Sequence, residues 1–88
     1  MRKRTDENHR EIMLDLRKLG YSVLDLSAVG SGCPDILAGK NGVNYLFEIK
    51  NPKKPPSKRK LTKDQVEFHG EWRGQVKIIQ KSEEVLNG

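Results

Sequence analysis

Asn41-Gly42 is the dipeptide that most restricts what this chain can fold into. A two-residue type I′ turn needs the left-handed backbone region at both central positions, and Asn-Gly accepts it readily. Such a turn requires a strand on each side. Pro34 to Gly39 precedes it, with Pro34 at the strand start, where a missing N–H is tolerable. Val43 to Lys50 follows, carrying Tyr45, Leu46, Phe47 and Ile49. With the turn centred on Asn41 and Gly42, Lys40 faces Val43. Counting outward, Asp35 then faces Glu48 and Cys33 faces Lys50. Opposed residues share a sheet face, with Cβ atoms ~4.5–5.5 Å apart. Side chains alternate along a strand, so Lys50 points to the same face as Glu48. The hairpin alone therefore predicts a cluster of Asp35, Glu48 and Lys50.

The remaining elements read as one α/β unit without repeats, a single domain over residues 1–88. Thr5 or Asp6 can cap a first helix whose stripe is Ile12, Leu16 and Leu19, ended by Gly20. Tyr21 to Leu26 is a short strand. Asn51 to Lys60 contains Pro52, Pro55 and Pro56 and reads as a loop, neither helix nor interior strand. Thr62 opens a second helix to about Trp72, Gln75 to Gln80 is a fourth strand, and Ser82 can cap a last helical turn. No apolar run reaches the ~18 residues of a membrane span. No hydrophobic signal region follows the basic start, so a cytoplasmic protein is expected. The single Cys33 excludes an internal disulfide framework.

The net charge of +5 is unevenly placed. Arg2, Lys3 and Arg4 form one basic segment, and Lys53, Lys54, Lys58, Arg59 and Lys60 form another. Without these eight the 12 acids outnumber the remaining bases. Clustered positive charge is the footprint of a phosphate-backbone binder. Two carboxylates opposed on a sheet are destabilising on their own. A divalent cation reverses that sign, and Mg²⁺ takes one or two carboxylates together with waters and phosphate oxygens. Lys50 beside such a metal can orient or activate a water, or stabilise negative charge on phosphorus.

Pro34-Asp35, twelve intervening residues, then Glu48-Ile49-Lys50 resembles the PD-(D/E)XK nuclease signature. Gly30-Ser31-Gly32-Cys33, the run Pro56-Ser57-Lys58-Arg59-Lys60-Leu61-Thr62 with Gln65, and Trp72-Arg73-Gly74-Gln75-Val76 extend the likeness. Over nearly the whole chain it resembles the virus-type replication-repair nuclease (VRR-NUC) domain of phages and prophages. The resemblance implies a restriction-endonuclease-like fold, a central mixed sheet flanked by helices. It implies a Mg²⁺- or Mn²⁺-dependent endonuclease, a homodimer acting on branched DNA such as four-way junctions, in a bacterial host cell. Asp35 and Glu48 are then the metal ligands, with the Ile49 carbonyl, and Lys50 the catalytic lysine. The family's glutamine at this helix start matches Gln65, although Thr62-Lys63-Asp64-Gln65 is also a capping box that explains both end residues.

In this superfamily the first helix supplies an acidic metal ligand. On a wheel of about 100° per residue, His9 and Asn8 border the apolar stripe while Glu7 and Glu11 point away. His9 is therefore the expected metal contact, direct or through water, with Glu7 or Glu11 as alternatives if the helix shifts in register. Two rival functions remain: a flap, nicking or restriction-type nuclease with the same chemistry, and a non-catalytic basic module that only binds nucleic acid.

Overall fold

The computed structural model describes residues 7–86. Thr5 and Asp6, the expected first caps, and Arg2, Lys3 and Arg4 lie outside them. The elements run α1 (Glu7–Lys18), β1 (Ser22–Asp25), β2 (Ile36–Lys40), β3 (Val43–Ile49), α2 (Pro56–Arg59), α3 (Lys63–Glu71), β4 (Lys77–Ile79) and α4 (Glu83–Leu86). Among these helices none is long and apolar enough to cross a membrane.

The four strands form one mixed sheet in the order β1-β2-β3-β4, antiparallel except for the parallel β3–β4 pair. The turn between β2 and β3 has positive φ at both Asn41 (54°) and Gly42 (77°), as a type I′ turn requires. Lys40 faces Val43, and the register continues unbroken to Ile36 and Phe47. β4 is shorter than the sequence suggests because Gln75 pairs through its side chain. Its Oε1 accepts from the Leu46 amide at 2.7 Å and its Nε2 donates to the Leu46 carbonyl at 3.1 Å. A side-chain amide thus replaces a peptide group in the ladder.

One face of the sheet is closed by α1. Ile12, Met13 and Leu16 pack on Ile36 and Ala38 of β2, Phe47 and Ile49 of β3, and Ile79 of β4. Burying each large aliphatic side chain contributes about 1.5–3 kcal/mol. α1 stops at Lys18, one residue before the end of the expected stripe. The Gly20 amide donates to the Arg17 carbonyl and the Tyr21 amide to the Leu16 carbonyl, both at 3.0 Å, with Gly20 at φ +94°. This Schellman closure turns Leu19 out to solvent, 39% exposed, and brings Tyr21 back onto the core. The opposite face carries Leu24, Leu37 and Leu46 in cross-strand register, with Glu48 beside Ile78. There Leu24 and Ile78 stay largely exposed.

The segment from Asn51 to Lys60 is not wholly a loop. Pro56 to Arg59 forms one helical turn, with Pro55 at the N-cap and Pro56 just inside. A helix start has no use for the N–H that proline lacks, so the two prolines that argue against a helix begin one.

Candidate active site

The site gathers where β2 begins and β3 ends. Asp35 sits one residue before β2 and does not continue the ladder. Its amide donates to the Phe47 carbonyl at 3.0 Å, and its carboxylate Oδ2 accepts from the Ile49 amide at 2.7 Å. Asp35 therefore clasps the backbone on both sides of Glu48 instead of standing opposite it as a strand partner. The expected Cys33–Lys50 pairing is likewise absent from the ladder, because β2 starts only at Ile36 and the Cys33 amide turns back to the Gly30 carbonyl.

Glu48 is 1% exposed, and its Oε2 accepts from Gln65 Nε2 at 3.2 Å. Gln65 Oε1 in turn accepts from Lys50 Nζ at 2.8 Å. The same Oε1 accepts from the Thr62 amide at 2.9 Å, while the Gln65 amide donates to Thr62 Oγ1 at 3.3 Å. The capping box is thus present, and its glutamine also bridges the lysine and the glutamate. Asp35, Glu48, Lys50 and Gln65 are all buried, an arrangement that polar groups sustain only through such mutual bonds.

The loop before Asp35 shapes the approach of α3. Gly30, Ser31 and Gly32 all have positive φ, at 78°, 53° and 80°. A Cβ on Gly32 would collide with the Asp64 carbonyl at the start of α3. Glycine there lets the helix N-terminus come close enough for Gln65 to reach the strand end.

His9 is buried at 4% exposure, and its Nε2 lies 3.3 Å from Asp25 Oδ1 at the end of β1. Burial raises the Asp25 carboxyl, but hydrogen bonds from Ser27 and the nearby His9 outweigh it and hold the carboxyl below its ordinary value. The adjacent Leu26 amide donates to the Asp35 carbonyl at 2.8 Å, so the His9–Asp25 pair borders the site. Glu7 and Glu11 are exposed and line a separate cleft of about 320 Å³ with Asn8, Asn51, Lys53 and Lys81. Among the described residues no three His, Cys, Asp or Glu side chains gather into a metal-holding group. The buried carboxylates at this end of the hairpin are those of Asp35 and Glu48. Hard oxygens in that small number suit Mg²⁺, which keeps several waters of its own.

Three further residues escape a strand-and-helix reading. Asn8 Nδ2 donates to the carbonyls of Lys50 and Gln80, both at 3.0 Å, pinning α1 to the ends of β3 and β4. Its place beside the apolar stripe was the available signal. Asn51 is buried and accepts from the Lys53 amide at 3.0 Å, which sets the turn into the basic segment. His69, one turn along α3 from Gln65, feels the charge of Lys50. Of the basic segment, Lys53, Lys54, Lys58 and Lys60 are exposed and Arg59 is half-buried.

Residues 1–85 match the family model of the archaeal Holliday junction resolvases, Hjc. The chain belongs to the Hjc family. It is accordingly a structure-specific nuclease of the Holliday junction resolvase type, which cleaves branched DNA. Among solved structures, a VRR_NUC domain is similar at 25% identity and a TM-score of 0.63, covering 89% of this chain and 85% of that one. The mixed sheet and its flanking helices are thus a restriction-endonuclease-like fold. No curated protein matches the chain.

Proposed function

We propose that this resolvase hydrolyses DNA phosphodiesters at the Asp35–Glu48–Lys50–Gln65 cluster with Mg²⁺ or Mn²⁺. The observation that carries the reading is the continuous set of contacts in which Asp35 holds the strand around Glu48 while Gln65 ties Glu48 to Lys50. Asp35 and Glu48, with the Ile49 carbonyl, are the ligands in this reading. A bound divalent ion would supply Lewis-acid stabilisation of the phosphoryl oxygens and an acidified water. Lys50 presents a positive donor to the attacking water or to the phosphate. Gln65 gives the Lys50 ammonium an acceptor and holds one Glu48 oxygen. His9, engaged with Asp25, supports the site through water.

The cations Lys53, Lys54, Lys58, Arg59 and Lys60, with Arg2, Lys3 and Arg4, bind backbone phosphates. A four-way junction needs two symmetric cuts, and a twofold dimer presents two sites in that relation. Light scattering should therefore give twice the 10.0 kDa chain mass; a monomer that still makes paired cuts removes the dimer. A gene carried by a phage or prophage and action in a bacterial cytoplasm complete the reading. The central test is cleavage of end-labelled four-way junctions in Mg²⁺. Lys50→Ala should lose about 10²–10⁴-fold in rate, the range for a positioned proton-transfer or electrostatic group. An unchanged rate would place the chemistry elsewhere.

A further inference from the structure

Lys50 is 8% exposed, and its ammonium carries three donors. One of them goes to Gln65 Oε1 at 2.8 Å. A buried ammonium with donors to spare is costly, and its direction is loosely set by one bond. The fold places an acceptor close by. His69 follows Gln65 by four residues on α3, so the two side chains share a helix face. Its Nε2 is fully shielded from solvent and has no hydrogen-bond partner among the described residues. The Lys50 charge is felt at the ring.

Two groups with complementary needs are thus related to the same glutamine: a cation bonded to its oxygen and, on its helix face, a nitrogen with an unused lone pair. Buried polar atoms in folded proteins are nearly always satisfied, and the exceptions mark places where something is held in reserve. Burial, and after it the Lys50 charge, holds the imidazole below its ordinary value. At neutral pH the ring is therefore uncharged, and in the tautomer with its proton on Nδ1 the Nε2 atom accepts.

We propose that His69 is a positioning residue of the nuclease site, giving the Lys50 ammonium a second acceptor beside Gln65. Two acceptors one helical turn apart define a direction for Nζ that a single amide oxygen leaves free. The third donor then points to the substrate phosphate or the attacking water. Both acceptors ride on α3, so the docking of that helix sets the lysine. This assignment rests on the reading of Lys50 as the catalytic lysine.

The experiment compares His69→Phe and His69→Leu, which remove the nitrogen with two different shapes, and His69→Gln, which keeps an acceptor. Single-turnover cleavage of labelled four-way junctions in Mg²⁺ is measured beside junction affinity in Ca²⁺ and Tm. The Lys50 side-chain ¹⁵N signal is followed in the metal-free protein. Phe and Leu should slow cleavage about tenfold, the scale of one hydrogen bond to a charged group. Affinity and Tm should hold, the Lys50 signal should move, and Gln should restore most of the rate and the signal. Parental rates in Phe and Leu overturn the proposal, as does Gln performing no better than they do. If Lys50→Ala abolishes cleavage while these variants cleave normally, only the His69 assignment falls. If Lys50→Ala itself cleaves normally, the underlying reading of the site falls first.

Discussion

The two faces of the sheet are built for different ends. On the α1 face, Ile36, Ala38, Phe47, Ile49 and Ile79 meet Ile12, Met13 and Leu16, side chains that need no hydrogen bond. On the other face, Glu48 is as deeply buried as those aliphatics, yet it sits among bonds to Gln65 and, through it, Lys50. Around it Leu24 and Ile78 remain exposed. Apolar burial is concentrated on one side of a sheet one residue thick, and the buried polar cluster lies on the other. The alternation of side chains lets neighbouring residues such as Phe47 and Glu48 serve the two ends independently.

The difference can be broken from either side. Lys50→Ala should show the largest effect, the loss of cleavage stated above, with Tm almost unmoved, because the truncation leaves Gln65 and Glu48 still bonded to each other. Leu16→Ala should do the reverse. Leu16 is fully buried under the sheet, and its truncation should cost about 2–5 kcal/mol in chemical denaturation. Much of the 5–15 kcal/mol typical of a domain is at stake, yet the cleavage rate per folded molecule should stand. A Leu16→Ala protein that is stable but slow would show that the two faces are coupled.

Gly32→Ala tests the seam between the faces. The added methyl meets the Asp64 carbonyl and also sits at positive φ. A cost of more than ~1 kcal/mol in stability is expected, with a fall in cleavage as α3 and Gln65 move away from Glu48. The smallest structural effect should come from replacing Lys53, Lys54, Lys58, Arg59 and Lys60 by alanine. Tm should hardly change, while the slope of log affinity against log salt should become shallower by roughly 4–5. An unaltered slope removes this segment from DNA binding.

Local chemistry was readable in advance, and tertiary chemistry was less so. Asn41-Gly42 needs positive φ at both positions, a property of the residues themselves, and the register from Lys40 to Ile36 followed from it. Thr62 and Gln65 are spaced as a capping box, so the helix start was legible from four residues. Asp35, Glu48 and Lys50 all lie at the end of the hairpin that the register indicates, held there by bonds that the register does not contain. Counting pairs outward assumes a ladder that never slips, whereas Asp35 leaves it to bond Phe47 and Ile49. The helical turn at Pro56 was hidden because proline signals a break from within a helix and a start from its edge. Helix spacing sets Asn8 beside the apolar stripe of α1 and His69 on the Gln65 face of α3, but it does not record which strand ends they meet.

Gln65 has a consequence for what this position can become. As the last residue of a capping box, glutamate and glutamine are equivalent, since either supplies the oxygen that the Thr62 amide needs. Glu48 distinguishes them. Its carboxylate accepts from an N–H₂ that glutamate lacks, and a glutamate would set a second negative charge against it. Asparagine keeps both groups on a side chain one carbon shorter, unable to span from the Thr62 amide to the end of β3. The helix start admits two residues and the strand end refuses one of them, so the position is left with a vocabulary of one.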